Sequence, residues 1–428
     1  MTVPIQKKKM DYKWVILAAC IMMNFVCLGF CSSNKGMYLT AITDALGIKR
    51  SLFSINDSCR YVASALVNLF FGTLVAKIGI RKMTAIGFAS TAASMLTYAL
   101  AENVWTFYLG GTLLGIGLAF TTTSMSSSII RRWFKKDIGK YTGIVFASNG
   151  IGAALASQIA SPLINQVGNP FGYRQSYLLV VAIVLVTGVI VVSLLRERPK
   201  VAPGVAPTKN SKRRGTGWYG IDFATARKKH YFYVAAAVVL VTGICLQGIN
   251  SMYIAHLEDI GMRPEFTATL ASIFALALTA SKLLVGWMYD RFGLKTVMIV
   301  CPVAGLIAFI LLATLSATPA GMGMAVVFAL LYALSLPLET MVIPLLVNDL
   351  FGTVSYDKLL GIFTAINYVG YALGAPLINL SYDVLGSYKY ALLTSGALML
   401  LCGIAFRFVF KELDQTKKQA LQEQCNGN

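Results

Sequence analysis

Five side chains that can carry charge sit in otherwise apolar stretches: Lys35, Asp57, Arg60, Lys282 and Glu339. Ionisable residues inside a bilayer span are costly and mark substrate paths, proton relays or matched pairs. Lys282 stands out, because FTATLASIFALALTAS (266–281), the run before it, has no charge. An ammonium there either meets an anion in a cavity or forms a structural pair with Glu339, at comparable depth beside Pro337. Asp57 and Arg60 are three residues apart, so they share a helix face and can neutralise one another, or else handle substrate and proton. Lys35 lies near the end of its span, where its stem can snorkel to the interface. Asp57 and Glu339 are the two acids placed to carry a coupling proton. No nucleophile with a base and no metal-ligand spacing occurs, and "SNGIGAA" lies mid-helix without the strand a phosphate loop requires. An enzyme is not expected, and neither a metal nor an organic cofactor is.

The elements that hold these residues are membrane spans. Of 428 residues, 57% are hydrophobic and 13% charged, against roughly a quarter charged in soluble chains. Apolar runs of about 20 residues cross a bilayer. They recur near 14–38, 52–76, 83–101, 104–130, 138–165, 175–195, 232–256, 265–289, 296–316, 320–348, 359–382 and 388–410. The net charge of +19 does not indicate nucleic acid, because its distribution follows the spans. With a cytoplasmic N-terminus, the inside receives the QKKK head, Lys77, Arg81 and Lys82, the RRWFKK turn (131–136), the 196–231 loop, Arg291 and Lys295, and the tail. The outside keeps Lys49, Arg50, Arg174, Arg263 and Lys389. Lys/Arg bias in short loops sets orientation, so both termini are expected in the cytoplasm. The first span lacks a cleavage site behind its apolar stretch and is expected to be retained. The eight cysteines lie almost entirely in apolar spans and read as small buried hydrophobes.

The chain is also a duplication. "MYLTAITDALG" (37–47) parallels "MYIAHLEDIG" (252–261), "GTLVAKIGIRK" (72–82) parallels "GWMYDRFGLKT" (286–296), and "GIVFASNGIG" (143–152) parallels "GIFTAINYVG" (361–370). The offsets are 215, 214 and 218. Six spans separate each pair, so the halves share one orientation: a parallel repeat about an axis along the membrane normal. The fold class is therefore an all-α polytopic membrane protein with 12 transmembrane helices in two six-helix bundles. The expected divisions are 1–195 and 232–412 for the bundles, 196–231 for a flexible basic linker and 413–428 for a tail. The tail offers no signalling domain, which argues against a sensor.

Gly286, Asp290, Arg291 and Gly293 resemble the signature turn of the major facilitator superfamily, where a tight turn and close helix approach need glycine. The resemblance implies a gate latched by the Asp and Arg against neighbouring helix ends. The first-half copy has Gly72, Lys77, Gly79 and Arg81 but Ala76 in place of the aspartate, so the gate is expected to be asymmetric, with the stronger latch in the second half. The whole chain further resembles the monocarboxylate transporter and oxalate/formate antiporter families. "SNKGMYLTAI" is similar to the family's first helix, placing Lys35 on its proton and carboxylate lysine. "KLLVG" matches its helix 8 Arg-Pro-x-x-Gly, placing Lys282 on the substrate arginine. "NDLFG" with "LLGIFTAINYVGYALGAPL" (348–377), and "GYRQSY" (172–177), resemble further family segments. Two departures stand out: Leu278 replaces the family's helix 8 aspartate, and the acidic motif opening helix 1 survives only as "DYKW". Lysine also gives up the bidentate carboxylate grip of arginine.

The expected function is secondary active transport of a small organic anion, a mono- or dicarboxylate, by alternating access as proton symporter or anion exchanger. The alternative is an exporter of amphipathic or cationic molecules, with Asp57 and Glu339 as cation sites. Expected substrate contacts are Lys35, Lys282, Arg60, Asn149, Asn367, Tyr368 and Tyr371. The two asparagines occupy equivalent repeat positions and would either donate to substrate or bond across helices. Gly111-x3-Gly115 and Gly370-x3-Gly374 are spacings for close helix packing, and His256 reads as a membrane-interface residue. The expected partners are the substrate anion, the lipid bilayer and protons, with no nucleic acid, in a monomer at a bacterial cell membrane. The orientation is directly testable. A cysteine at Lys209 should resist an impermeant thiol reagent in intact cells while one at Arg263 reacts; the opposite labelling pattern would invert the topology.

Overall fold

A chain of this composition can hide its backbone polar groups in lipid only by forming helices or a closed barrel, and the computed structural model is helical. It describes residues 12–196 and 220–426, apart from 34, 49, 135, 165–168 and 170. The first half begins with α1 (Lys13–Met23), which widens into a π-helix (Asn24–Phe30), and α2 (Lys35–Leu46). There follow α3 (Arg50–Leu69), α4 (Phe71–Ile78), α5 (Ile80–Ala99), α6 (Val104–Thr121), α7 (Thr123–Trp133), α8 (Ile138–Ile164) and α9 (Gly172–Leu194). The second half comprises the one-turn α10 (Phe223–Ala226), then α11 (His230–Asp259), α12 (Pro264–Phe292), α13 (Leu294–Thr314) and α14 (Pro319–Ser335). It closes with α15 (Pro337–Thr340), α16 (Val342–Phe351), α17 (Tyr356–Leu385) and α18 (Lys389–Asn426). Among the described residues, ten helices are long and apolar enough to cross a membrane, and α3 with α4, bent by 61°, makes an eleventh. The twelfth is α5, whose 20 residues are rich in Ser, Thr and Gly. Two of its serines bond to α6: Ser90 Oγ donates to the Leu113 carbonyl at 2.7 Å and Ser94 Oγ to that of Gly110 at 2.6 Å.

The repeat is visible in how helices begin and break. Asn103 caps α6 by accepting from Thr106 N at 3.0 Å, and Thr318, at the equivalent place, caps α14 by accepting from Gly321 N at 3.1 Å. Side-chain oxygens at this position satisfy backbone donors that a helix start leaves orphaned. The fourth span of each half is then interrupted at matching depth. α6 gives way to α7 at Thr122 (φ −120°, ψ −123°), and α14 gives way to α15 and α16 around Pro337 and Met341. Proline cannot donate to the helix ladder, which explains the second break; a Thr-rich run, TTTSMSSS (121–128), accompanies the first.

Helices touch where side chains vanish. A Cβ on Gly152 of α8 would lie 2.2 Å from the Phe25 carbonyl oxygen, and one on Gly29 would lie 2.7 Å from Gly152 Cα. Gly111 and Gly115 likewise bring α6 against the backbone of α3, while Gly370 and Gly374 bring α17 against α11, which is the packing role their spacing implies. None of the seven cysteines whose side chains are described forms a disulfide, and six of these are buried. His256 departs from the expected interface position: it is 9% exposed, pairs with the Leu312 carbonyl at 3.2 Å and meets the Tyr388 ring edge-on. The end of α11 lies against α13, and burial lowers the imidazole's affinity for a proton below its ordinary value. The apolar part of α18 ends at Leu413, yet the helix continues to Asn426. Replacing Gly152 by leucine should lower thermal stability by about 1–3 kcal/mol, the usual scale for overpacking, as read from the melting of purified protein; an unchanged melting temperature would show that α1 and α8 can separate freely.

Candidate functional site

The starts of α1 and α11 and the end of α9 define one end of the bundle, called here the linker end. The two halves are sealed there. Gly139 on α8 and Gly286 on α12 meet backbone to backbone: a Cβ on Gly286 would fall 2.5 Å from the Gly139 carbonyl oxygen. Beside this contact the Asp290 carboxylate accepts from Gly139 N at 2.9 Å and from Lys140 N at 2.6 Å. Asp290 thus caps, from the other half, the start of α8, where free N–H groups and the helix dipole favour an anion. Asp137 supplies the turn, in the left-handed region at φ 54°, which Asp tolerates better than most residues. Gly293 ends α12 at φ 84°. Arg291 lies over its own neighbours, Trp287 and Phe292, at 5.8 Å, so the contact across the halves belongs to Asp290.

The mirror junction uses other residues. Gly72 on α4 packs on the start of α17, where a Cβ would fall 2.4 Å from Lys358 Cα. With alanine at position 76, no carboxylate arrives from α4. Asp357, in the first turn of α17, fills the place: it accepts from Ser128 Oγ at 2.6 Å and pairs with Arg132. Arg131 Nε donates to Asn348 Oδ1 at 2.7 Å, with its guanidinium over the Tyr356 ring at 4.3 Å. Arg81 stays within the first half, donating to the Val192 carbonyl at 2.9 Å. The two arginines of RRWFKK therefore join the halves at this junction. Only their partners, distant in sequence, reveal this.

Beyond the seal lies a cavity of about 450 Å3 between the halves. It is lined by Arg60, Asn149, Lys282, Glu339, Asn367, Tyr368 and Tyr371 among the expected residues, and by Ser32, Tyr61, Phe146, Gln247, Asn250 and Phe274, which sequence reasoning missed. Gln247 and Asn250, two amides three apart in an apolar span, were the available signal. Lys282, 5% exposed, donates from Nζ to Asn149 Oδ1 at 2.7 Å and to the Phe146 carbonyl at 3.1 Å. Both partners are on α8, in the opposite half, and Lys282 makes no ion pair with Glu339. Leu278 lines the wall one turn before it. Arg60 bonds Ser32 Oγ, pairs with Asp57 at 3.1 Å and stacks over Tyr61 at 4.4 Å. Tyr61, Tyr368 and Tyr371 form a ring cluster at centroid spacings of 5.4–6.2 Å, and Gln247 Nε2 reaches the Tyr61 hydroxyl at 3.3 Å. Asn367 Nδ2 donates to the Glu339 backbone carbonyl at 3.0 Å. Asp57 is 44% exposed and does not line the cavity. Lys35 opens α2, but its side chain is outside the described residues. Tyr38, three positions on, bonds Ser176 at 2.7 Å and stacks on Tyr177, joining two of the family-like segments.

Two helical bundles, each with an interrupted span and with a cavity between them, are the arrangement of secondary transporters. The sequence pattern of the Major Facilitator Superfamily matches residues 20–258 and 235–424, and the chain belongs to that superfamily. It is similar to monocarboxylate transporter 13 of Rattus norvegicus, 27% identical over 76% of this chain and 72% of that one. It is also similar to the sialic acid transporter NanX of Escherichia coli (strain K12), 22% identical over 69% and 68%. In fold it resembles the proton:xylose symporter XylE bound to 6-bromo-6-deoxy-D-glucose, with a TM-score of 0.72 at 13% identity over 93% and 96% of the two chains.

The seal makes its asymmetry testable. Asp290→Asn removes the charge from a two-bond helix cap worth about 1–2 kcal/mol, and should change the rate of transport in proteoliposomes by about fivefold or more. Ala76→Asp, facing a junction already served by Asp357, should change it little. Negligible effects of both would reduce the turn to a membrane anchor.

Proposed function

We propose that the chain is a secondary active transporter of a small organic anion bearing a carboxylate, working by alternating access as a proton symporter or anion exchanger. The observation that carries this reading is one cavity faced by a buried cation from each half, Arg60 from the first and Lys282 from the second. A buried charge without compensation costs several kcal/mol. Arg60 has Asp57 to neutralise it, whereas Lys282 is held only by neutral oxygens. A carboxylate entering the cavity would supply the missing charge. Two cations against one cavity carboxyl, Glu339, favour an anion over the cationic cargo of an exporter. The likeness to transporters named for monocarboxylates and sialic acid points the same way. The tyrosine cluster and Phe274 would cover the apolar body of the substrate, while Asn149, Asn367 and Gln247 offer amides to its polar groups.

In the cycle the halves would rock about this site. Closed at the linker end by Asp290 and Asp357, the structure would correspond to the state open toward the other end. With the basic loops in the cytoplasm, that state faces outward, and the chain resides in the cell membrane. Its function is transport, with no bond made or broken in the substrate.

Lys282 decides the matter. Charge-assisted hydrogen bonds contribute about 1.5–3 kcal/mol, so Lys282→Gln should weaken anion affinity by about 10- to 100-fold while leaving expression and melting temperature nearly unchanged. Lys282→Arg should keep part of the activity. The measurement is binding and proteoliposome uptake of radiolabelled pyruvate, lactate, benzoate and succinate. Unchanged affinity in Lys282→Gln for a transported probe would sink the anion site. Loss of folding rescued by a second change, Glu339→Gln, would instead make the two residues a structural pair.

A further inference from the structure

Glu339 stands apart from the other buried charges. It is 3% exposed and lines the cavity, yet its Oε1 has no hydrogen-bond partner. No ammonium or guanidinium among the described residues forms an ion pair with it; Arg60 is engaged with Asp57, and Lys282 with Asn149 and Phe146. The Tyr371 hydroxyl is in reach of the carboxyl, and Tyr61, Tyr332 and Cys245 are near enough to sense its charge. Its backbone carbonyl is pinned by Asn367 Nδ2, whose own Oδ1 is a second buried acceptor without a donor. An ionised carboxylate offers only acceptors, so it cannot satisfy another acceptor on the same wall. One added proton turns the group into a donor and removes its charge. Its position in the chain suits a moving part, because Glu339 lies in the four-residue α15 between the two breaks of the tenth span.

Resting on the anion-transporter reading, we propose that Glu339 is the proton-carrying group of the cycle, taking up one proton with each anion and giving it up at the linker end. The chemistry balances simply. A proton from the water of the open side forms the O–H bond of Glu339, the halves reorient with acid and anion together, and the same O–H bond breaks to return the proton to water on the other side. Asp57 is excluded from this part, since it is half-exposed, paired with Arg60 and away from the cavity. The wall also accounts for coupling: while Glu339 is ionised, a second anion beside it is repelled, so the anion binds well only to the protonated form.

The test uses the purified full-length protein in two measurements. In proteoliposomes loaded with a pH-sensitive dye, radiolabelled pyruvate, lactate, benzoate and succinate are followed for uptake, for proton influx and for exchange against the same internal anion. Wild type should show proton influx with anion uptake, increasing as the outside is acidified. Glu339→Gln, fixed in the neutral shape, should lose at least about tenfold of the proton-driven uptake and the anion-linked proton influx, yet keep exchange. Asp57→Asn, which frees Arg60 and so acts on anion affinity, should keep the anion-linked proton influx. If wild type moves a labelled anion without protons, or if Glu339→Gln keeps wild-type proton influx, the proposal fails while the anion reading stands. Infrared difference spectroscopy against pH needs no transported probe, and so separates the two claims. A carboxylic-acid C=O band that titrates in wild type and vanishes in Glu339→Gln supports a proton on this residue even where all four anions are refused. A band unchanged by the substitution overturns it.

Discussion

A charge drawn into a bilayer must find polar atoms or water, and the arrangement of the two halves follows from how Lys282 meets that demand. Its ammonium does not turn to the acid nearest in topology. It reaches across the central gap to a carbonyl and an amide of α8. That reach is possible because the same helices are held close by Gly139, Gly143 and Gly286, where a Cβ would collide with backbone. The bond that satisfies the lysine is therefore also a bond between bundles, and an anion that competes for the ammonium acts on their contact. Charge compensation and domain contact are one interaction here, which gives substrate binding a direct handle on the equilibrium between states.

The two junctions at the linker end show how a duplicated sequence can keep its geometry while exchanging its chemistry. At one, a carboxylate from α12 caps α8; at the other, a carboxylate within α17 collects a serine and an arginine from α7. Both place a negative group at the first turn of a helix, where the macrodipole favours it. They differ in whose helix is served: Asp290 caps a helix of the other half, whereas Asp357 lies in the first turn of its own helix. The short helices α7 and α15 between them sit next to the cavity, so a local change at the site need travel only one or two turns to reach the seal.

The number of spans and the duplication were legible because hydropathy and the repeat offsets are properties of the chain itself. Depth was legible too: Lys282, Arg60 and Glu339 do face one cavity. Direction was not. Which face of α12 turns toward α8 depends on helix rotation, and a pattern of apolar residues all round a helix carries no mark of it. For this reason Asn149 rather than Glu339 receives the ammonium, and Arg131 and Arg132, read from sequence as orientation signals, find partners more than two hundred positions away. The break at Thr122 was hidden as well, since threonines and serines bend a helix only when neighbours accept the freed groups, whereas Pro337 announces its own. The aspartate of the glycine-bounded turn was legible as a residue, and its target, two backbone N–H groups of another helix, was not.

The last helix has a length of its own. At 1.5 Å per residue the 38 residues of α18 extend about 57 Å, nearly twice the hydrocarbon thickness of about 30 Å. The stretch after Leu413 therefore stands clear of the bilayer as a stiff rod of about 20 Å, continuous with a helix packed on α13 and α11. A fluorophore or domain fused beyond it would be carried at a set radius from the second bundle. It would sweep an arc with that bundle's rotation, much as the pointer of a gauge enlarges the turn of its shaft.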